Sequence, residues 1–311
     1  VADLTGSGSL DLVVANFGSG SVSVFMHGAT PGTFKSAVDI STGGTPNAVA
    51  IGDLNGDGKP DIVVADASTN GHAIILFQNP ATPGQFHAPV SLATGNNGAA
   101  GVTIADLNGD GANDILLATS DSNGNNGAVY VFYQNAASPG AYLPAVVVPA
   151  GAQPNAVRVA DVNGDGLADI IVANVGPGTD STGSTGVSVL LQDGAHPGSF
   201  FAAVTYATQG GSVDVAVGDL NGDGKPDLVV ANLAPSQTGS ISVLLQDGAH
   251  PGSFLSATTY LGFGQPLGVA IADLNNDGHP DIAVADSATA LILLQNASAP
   301  GTFAQAVQVG N

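Results

Sequence analysis

The chain contains no cysteine, no tryptophan and no glutamate, and only one methionine. Without cysteine there is neither a disulfide framework nor a thiol nucleophile. Without tryptophan the chain lacks the broadest stacking platform for a sugar ring. All 25 acidic residues are therefore aspartates, set against four basic ones, Lys35, Lys59, Arg158 and Lys225, for a formal net charge of −21. Four scattered cations make no basic stripe that could displace counterions from phosphate, so nucleic acid is not expected as a partner. No run approaches the roughly 18 uninterrupted apolar residues of a membrane span, so membrane insertion is not expected either. The six histidines, His27, His72, His87, His196, His250 and His279, include no closely spaced pair and read as turn residues rather than zinc ligands.

What is present is aspartate in a fixed pattern. In the stretch Asp53 to Asp61, oxygen-bearing side chains fall at the first, third, fifth and ninth positions (Asp53, Asn55, Asp57, Asp61), with glycine at the sixth. A hard cation such as calcium takes six to eight oxygens at about 2.3–2.6 Å, and alternate residues of a tight loop can converge on it. The seventh residue, Lys59, can add its backbone carbonyl, and Gly58 permits the sharp turn. The pattern recurs at Asp106, Asn108, Asp110, Ala112 and Asp114; at Asp161, Asn163, Asp165, Leu167 and Asp169; at Asp219, Asn221, Asp223, Lys225 and Asp227; and at Asp273, Asn275, Asp277, His279 and Asp281. A degenerate copy, Asp3, Thr5, Ser7 and Asp11, opens the chain, with Ser9 in the carbonyl position. Five strong calcium sites and a sixth, weaker one at Asp3 to Asp11 are expected, since hydroxyls are poorer donors and the first loop carries one negative charge fewer. An EF-hand would need an acid at position twelve, where Val64, Leu117, Val172, Val230 and Val284 stand instead.

The loops begin 50, 53, 55, 58 and 54 residues apart, and apolar segments flank them. In the second repeat these are Asn47 to Ile51, Ile62 to Ala65, Ala73 to Phe77 and Pro89 to Leu92, short and rich in β-branched residues. Four strands in about 50 residues is the arithmetic of a propeller blade. Glycine (44) and proline (18) punctuate the strands and argue against helices. The expected fold is an all-β propeller of six four-stranded blades, or seven if a longer precursor supplies more. Its six repeats, approximately 1–46, 47–98, 99–154, 155–211, 212–265 and 266–311, form a single domain. Each repeat also carries a Pro-Gly-x-aromatic turn ending at Phe34, Phe86, Tyr142, Phe200, Phe254 or Phe303, whose aromatic is expected to pack on the neighbouring sheet.

The Asp-x-Asn-x-Asp-Gly-x-x-Asp loop between the first two strands of such a repeat resembles the FG-GAP or VCBS-type repeat. It is similar to the propellers of integrin α subunits, certain fungal lectins and many secreted bacterial proteins. The resemblance spans essentially the whole chain and implies calcium in the hairpin between strands one and two, with ligands on the opposite face or between blades.

Two functional readings follow. The first is a secreted or cell-surface recognition and adhesion module that binds a glycan or an extracellular protein. Its ligand would meet the loops of unequal length at Asp66 to His72, Thr119 to Gly127, Val175 to Gly186 and Leu233 to Gly239, with Phe263 as a contact or a buried wedge. The second is a structural unit of a surface layer, filament or large adhesin, suggested by a start inside a repeat at Val1, which reads as part of a longer secreted precursor. An enzyme such as a polysaccharide lyase is not expected, because no cysteine or glutamate occurs and the clustered aspartates are committed to the loops.

Overall fold

The computed structural model is all β and describes residues 1–68, 71–95, 98–120, 127–176, 186–234 and 238–309. Its strands form six antiparallel sheets, each built from strands consecutive in the chain. Blade 1 is Leu12–Asn16, Ser21–Phe25 and Val38–Ser41; blade 2 is Pro46–Gly52, Asp61–Asp66, His72–Leu76 and Val90–Ala93. Blade 3 is Ala99–Ala105, Asp114–Ser120, Gly127–Phe132 and Val146–Gly151; blade 4 is Pro154–Ala160, Asp169–Asn174, Gly186–Leu190 and Val204–Ala207. Blade 5 is Gly211–Gly218, Asp227–Leu233, Gly239–Leu244 and Thr258–Phe263, and blade 6 is Pro266–Ala272, Asp281–Asp286, Ala290–Leu293 and Val307–Val309. One repeat thus makes one blade, as expected for a propeller. In blade 1 the first strand is reduced to a single bridge between Ala2 and Asp11.

The chain divides into two compact units. One, residues 1–123 and 128–148, holds blades 1 and 2 and nearly all of blade 3; the other, 124–127 and 149–311, holds blades 4 to 6. Within each unit the core lies between the faces of consecutive blades. Val13, Val22 and Val24 of blade 1 meet Ile62, Val64 and Ile74 of blade 2, and Val63 and Ile75 from the other face of blade 2 meet Ile115 and Leu117 of blade 3. Clusters of the same build join blade 4 to blade 5 and blade 5 to blade 6. Second strands such as Asp61–Asp66 and Asp169–Asn174 are buried along their whole length because both faces are covered, hence their continuous apolar runs.

The aromatics of the Pro-Gly turns join these interfaces. Phe254 and Phe303 are buried against the preceding blade and meet Tyr206 and Tyr260 edge to face, at 5.4 and 5.9 Å between ring centroids. Phe34 on blade 1 differs, being 48 % exposed. Of the two roles open to Phe263, the structure selects the wedge: it is 3 % exposed and packs in the core between blades 5 and 6, so it is not an exposed ligand contact. Flanking glycines signalled backbone freedom but not the direction of the ring.

Candidate metal loops and ligand groove

Each aspartate loop is the hairpin between the first two strands of its blade, and a ladder of hydrogen bonds to its own backbone sets its shape. In the second loop Asp53 accepts from the amides of Asn55, Gly56 and Gly58 at 3.2, 2.7 and 2.8 Å. Asn55 Oδ1 accepts from Asp57 N at 2.9 Å, and Asp57 from Lys59 N at 2.8 Å. Gly56 and Gly58 have φ of 73° and 77°, a left-handed backbone that glycine adopts without strain. In the last loop Asn276 takes the first of these places at φ 59°, a conformation asparagine tolerates better than other side-chain-bearing residues.

The ladder repeats in the other intact copies. Asp106, Asp161, Asp219 and Asp273 accept from the amide of the sixth loop residue, and Asn108, Asn163, Asn221 and Asn275 from that of the fifth. Asp110, Asp165, Asp223 and Asp277 accept from the amides of Ala112, Leu167, Lys225 and His279. The ninth aspartate lies deeper. Asp61, Asp114, Asp169, Asp227 and Asp281 are fully buried. Asp61 accepts from Leu54 N at 2.8 Å and Gln78 N at 2.7 Å, and the other four take the equivalent pair of amides.

Burial pushes the carboxyls of Asp61 and Asp114 up to about 6, and the nearby carboxylates of their own loops push the same way. Asp169 and Asp227 are raised for the same reasons. Among the described residues no three such side chains are drawn in around one point. The sequence-predicted residues therefore share a loop, with their oxygens turned onto amides. The donor set nevertheless fits a hard cation. Each intact loop holds three carboxylates and an amide oxygen, the ninth carboxylate is buried, and oxygens that take a single amide, such as Asn55 Oδ1 and Asp57 Oδ1, retain a second lone pair.

Sequence reading missed the glutamine two residues past the third strand, five residues before the proline of the Pro-Gly turn and bridged to its aromatic: Gln78, Gln134, Gln192, Gln246 and Gln295. Its backbone amide holds the ninth aspartate of its own blade, and in blades 3, 5 and 6 its side chain also ties that blade to the loop of the preceding one. Gln134 Nε2 donates to Leu54 O at 3.0 Å, Gln246 to Val162 O at 2.6 Å and Gln295 to Leu220 O at 2.7 Å. Tyr142 adds its hydroxyl to Leu54 O at 3.1 Å, and Asn113 Nδ2 donates to Asp53 O at 2.8 Å. The Pro-Gly turn also sits on the preceding loop: a Cβ at Gly252 would lie 3.1 Å from Asn163 Cβ, and one at Gly301 3.3 Å from Asn221 Cβ. The fixed offset from the Pro-Gly turn was the available signal.

These loops decide the family, because a model described as FG-GAP-like repeat matches residues 3–64, 54–117, 106–172, 178–230 and 219–284. The chain belongs to the FG-GAP-like repeat family. Two solved structures share the fold of this FG-GAP protein. The Dos1 propeller aligns with a TM-score of 0.54 at 10 % identity, covering 89 % of this chain and 62 % of that one, so the chain spans under two thirds of its length. A "putative 6-phosphogluconolactonase" from Bacteroides uniformis aligns with a TM-score of 0.61 at 15 % identity, covering 96 % and 81 %. No curated protein sequence matches the chain.

The four variable loops expected to bind ligand lie partly outside the described residues, at 69–70, 121–126, 177–185 and 235–237. Between the outer strands of blades 4 and 5 runs a groove of ≈ 540 Å³, lined by Thr205, Tyr206, Thr208, Gln209, Ser256 and Thr259 among others. Two of its hydroxyls are held from below, Thr205 by Ser188 at 3.0 Å and Thr208 by Ser212 at 2.8 Å.

Proposed function

We propose that the chain is a calcium-stabilised recognition module of the extracellular or cell-surface space that binds a glycan. The observation that carries the calcium half is the buried ninth carboxylate. Asp61, Asp114, Asp169, Asp227 and Asp281 lie deep beside two further carboxylates of their loops, and a divalent cation offsets that repulsion. Asp53, Asn55, Asp57 and Asp61, with the carbonyl of Lys59, would hold one ion, and the equivalent residues of the other intact loops one each. Calcium would supply charge neutralisation and cross-linking rather than catalysis. Sites of this donor count fill at the near-millimolar calcium found outside cells. FG-GAP-like repeats are typical of proteins placed there, and no helix of the described residues is long and apolar enough to cross a membrane.

The glycan half rests on the groove between blades 4 and 5. Threonine and serine hydroxyls, an amide and a tyrosine on one open face offer the donors and acceptors that sugar hydroxyls require. The test is a glycan array run with about 1 mM calcium and again after chelation. We expect binding in the first condition, its loss in the second, and a fall of about tenfold or more in affinity in Gln209→Ala with Ser256→Leu. Undiminished binding in that variant would move recognition to the loops of the opposite face. An empty array beside ordered filaments under the electron microscope would favour the structural role.

A further inference from the structure

The bridge to the Pro-Gly aromatic that glutamine makes in five blades is made by His27 in blade 1. Its backbone behaves as the glutamines do, donating to Asp11 Oδ1 at 2.8 Å. Its side chain does not. Gln78, Gln192 and Gln295 extend along the blade to the carbonyl of the eighth loop residue, Pro60, Ala168 or Pro280, at 2.6–2.8 Å. The imidazole of His27 turns into its own loop instead. Nδ1 stands 2.9 Å from Asp11 Oδ1, and Nε2 stands 3.5 Å from Ser7 Oγ. Ser7 and Asp11 are the fifth and ninth residues of the loop, the pair between which a cation held by these side chains would have to lie.

The rest of the loop keeps the amide ladder of the intact copies, so the imidazole and the two hydroxyls are what set it apart. Asp3 accepts from the amides of Thr5, Ser7 and Gly8 at 3.3, 3.0 and 2.6 Å, and both hydroxyls approach its Oδ1 to 3.4 Å. Asp11, fully buried, takes Leu4 N at 2.9 Å on one oxygen and the backbone amide and Nδ1 of His27 on the other. A neutral ring suffices for this bridge, with Nδ1–H donating to Asp11 and Nε2 facing the Ser7 hydroxyl as acceptor. From these contacts we infer that the first loop is not a metal site: the His27 side chain stands in the ion's place and closes the loop from within. The inference rests on the calcium reading of the other five loops and replaces the weak sixth site expected from sequence.

The experiment counts calcium on the purified full chain by calorimetry and by metal analysis after dialysis, and follows amide exchange with and without chelator. Five ions per chain are expected. On chelation, exchange at Gly56, Gly58, Gly109 and Gly111 should speed up by about tenfold or more, while that at Leu4, Ser7 and Gly8 stays unchanged. Thr5→Asn with Ser7→Asp should still bind five ions, and adding His27→Gln to that pair should raise the count to six. Six ions in the unaltered chain, six in the double variant, five in the triple variant, or chelator-dependent exchange in the first loop would each overturn the inference. No calcium at all would overturn the underlying reading instead, a result distinct from six. The unaltered chain decides the matter even if a variant fails to fold.

Discussion

A buried aspartate raised above its usual range makes an unusual contribution to stability. Asp61 and Asp114 titrate near 6 in the folded, metal-free chain and near 3.8 when unfolded, so between these values the folded state binds more protons. Stability of the metal-free protein therefore falls as pH rises from about 4 through 6, the reverse of the usual carboxylate behaviour. Each such loop should lose on the order of 2 kcal/mol. Urea denaturation of chelated protein should thus give a higher midpoint at pH 4.5 than at pH 7, and saturating calcium should abolish or invert the slope. Equal midpoints in the chelated protein would mean that these carboxyls are not strained.

At the scale of the element, a loop and the blade after it behave as one device. Gln246 belongs to blade 5, yet its Nε2 serves Val162 O in the loop of blade 4 as well as Pro226 O at 3.1 Å in its own. Gln246→Ala would leave one buried and one part-buried carbonyl short of a donor, at a cost of about 1–3 kcal/mol. It should also weaken calcium at Asp161 to Asp169 more than at Asp53 to Asp61, which terbium luminescence of single-loop knockouts can resolve. The loops themselves were legible in the sequence because their donors are neighbours in the chain, and so were the four strands per repeat. The bracing glutamines and the inward turn of Phe263 were not, because they act on residues far along the chain that only blade stacking brings near, and His27 was not, because pairing within blade 1 is what sets its ring against Ser7 and Asp11. Phe263 shows the limit well: local sequence left its side chain free to point either way, and the cluster around Val213 and Leu293 decided the matter.

For the molecule as a whole, calcium should supply a large part of the folding free energy. With a Kd near 10⁻⁴ M and about 1 mM calcium, each site adds roughly 1.4 kcal/mol, or about 7 for five loops. That is comparable with the ~5–15 kcal/mol of a whole domain, so exhaustive chelation should lower the Tm by about 10 °C or more. An unchanged Tm would count against calcium as the staple. Six sheets of one pattern, with interfaces of one pattern within each unit, also raise a question of order during folding, since a valine-rich face that accepts one neighbour can accept another. One contact is not repeated among the described residues. Asp214, on the first strand of blade 5, takes Arg158 Nη2 of blade 4 at 2.6 Å on one oxygen and Val269 N of blade 6 at 3.1 Å on the other. The chain has a single arginine, and it is spent here. Interchangeable cores make blades cohere; an aspartate that joins one neighbour by an ion pair and the other by a backbone hydrogen bond works as an address, and deleting it should slow refolding through misassembled arrangements more than it lowers the stability of the finished protein.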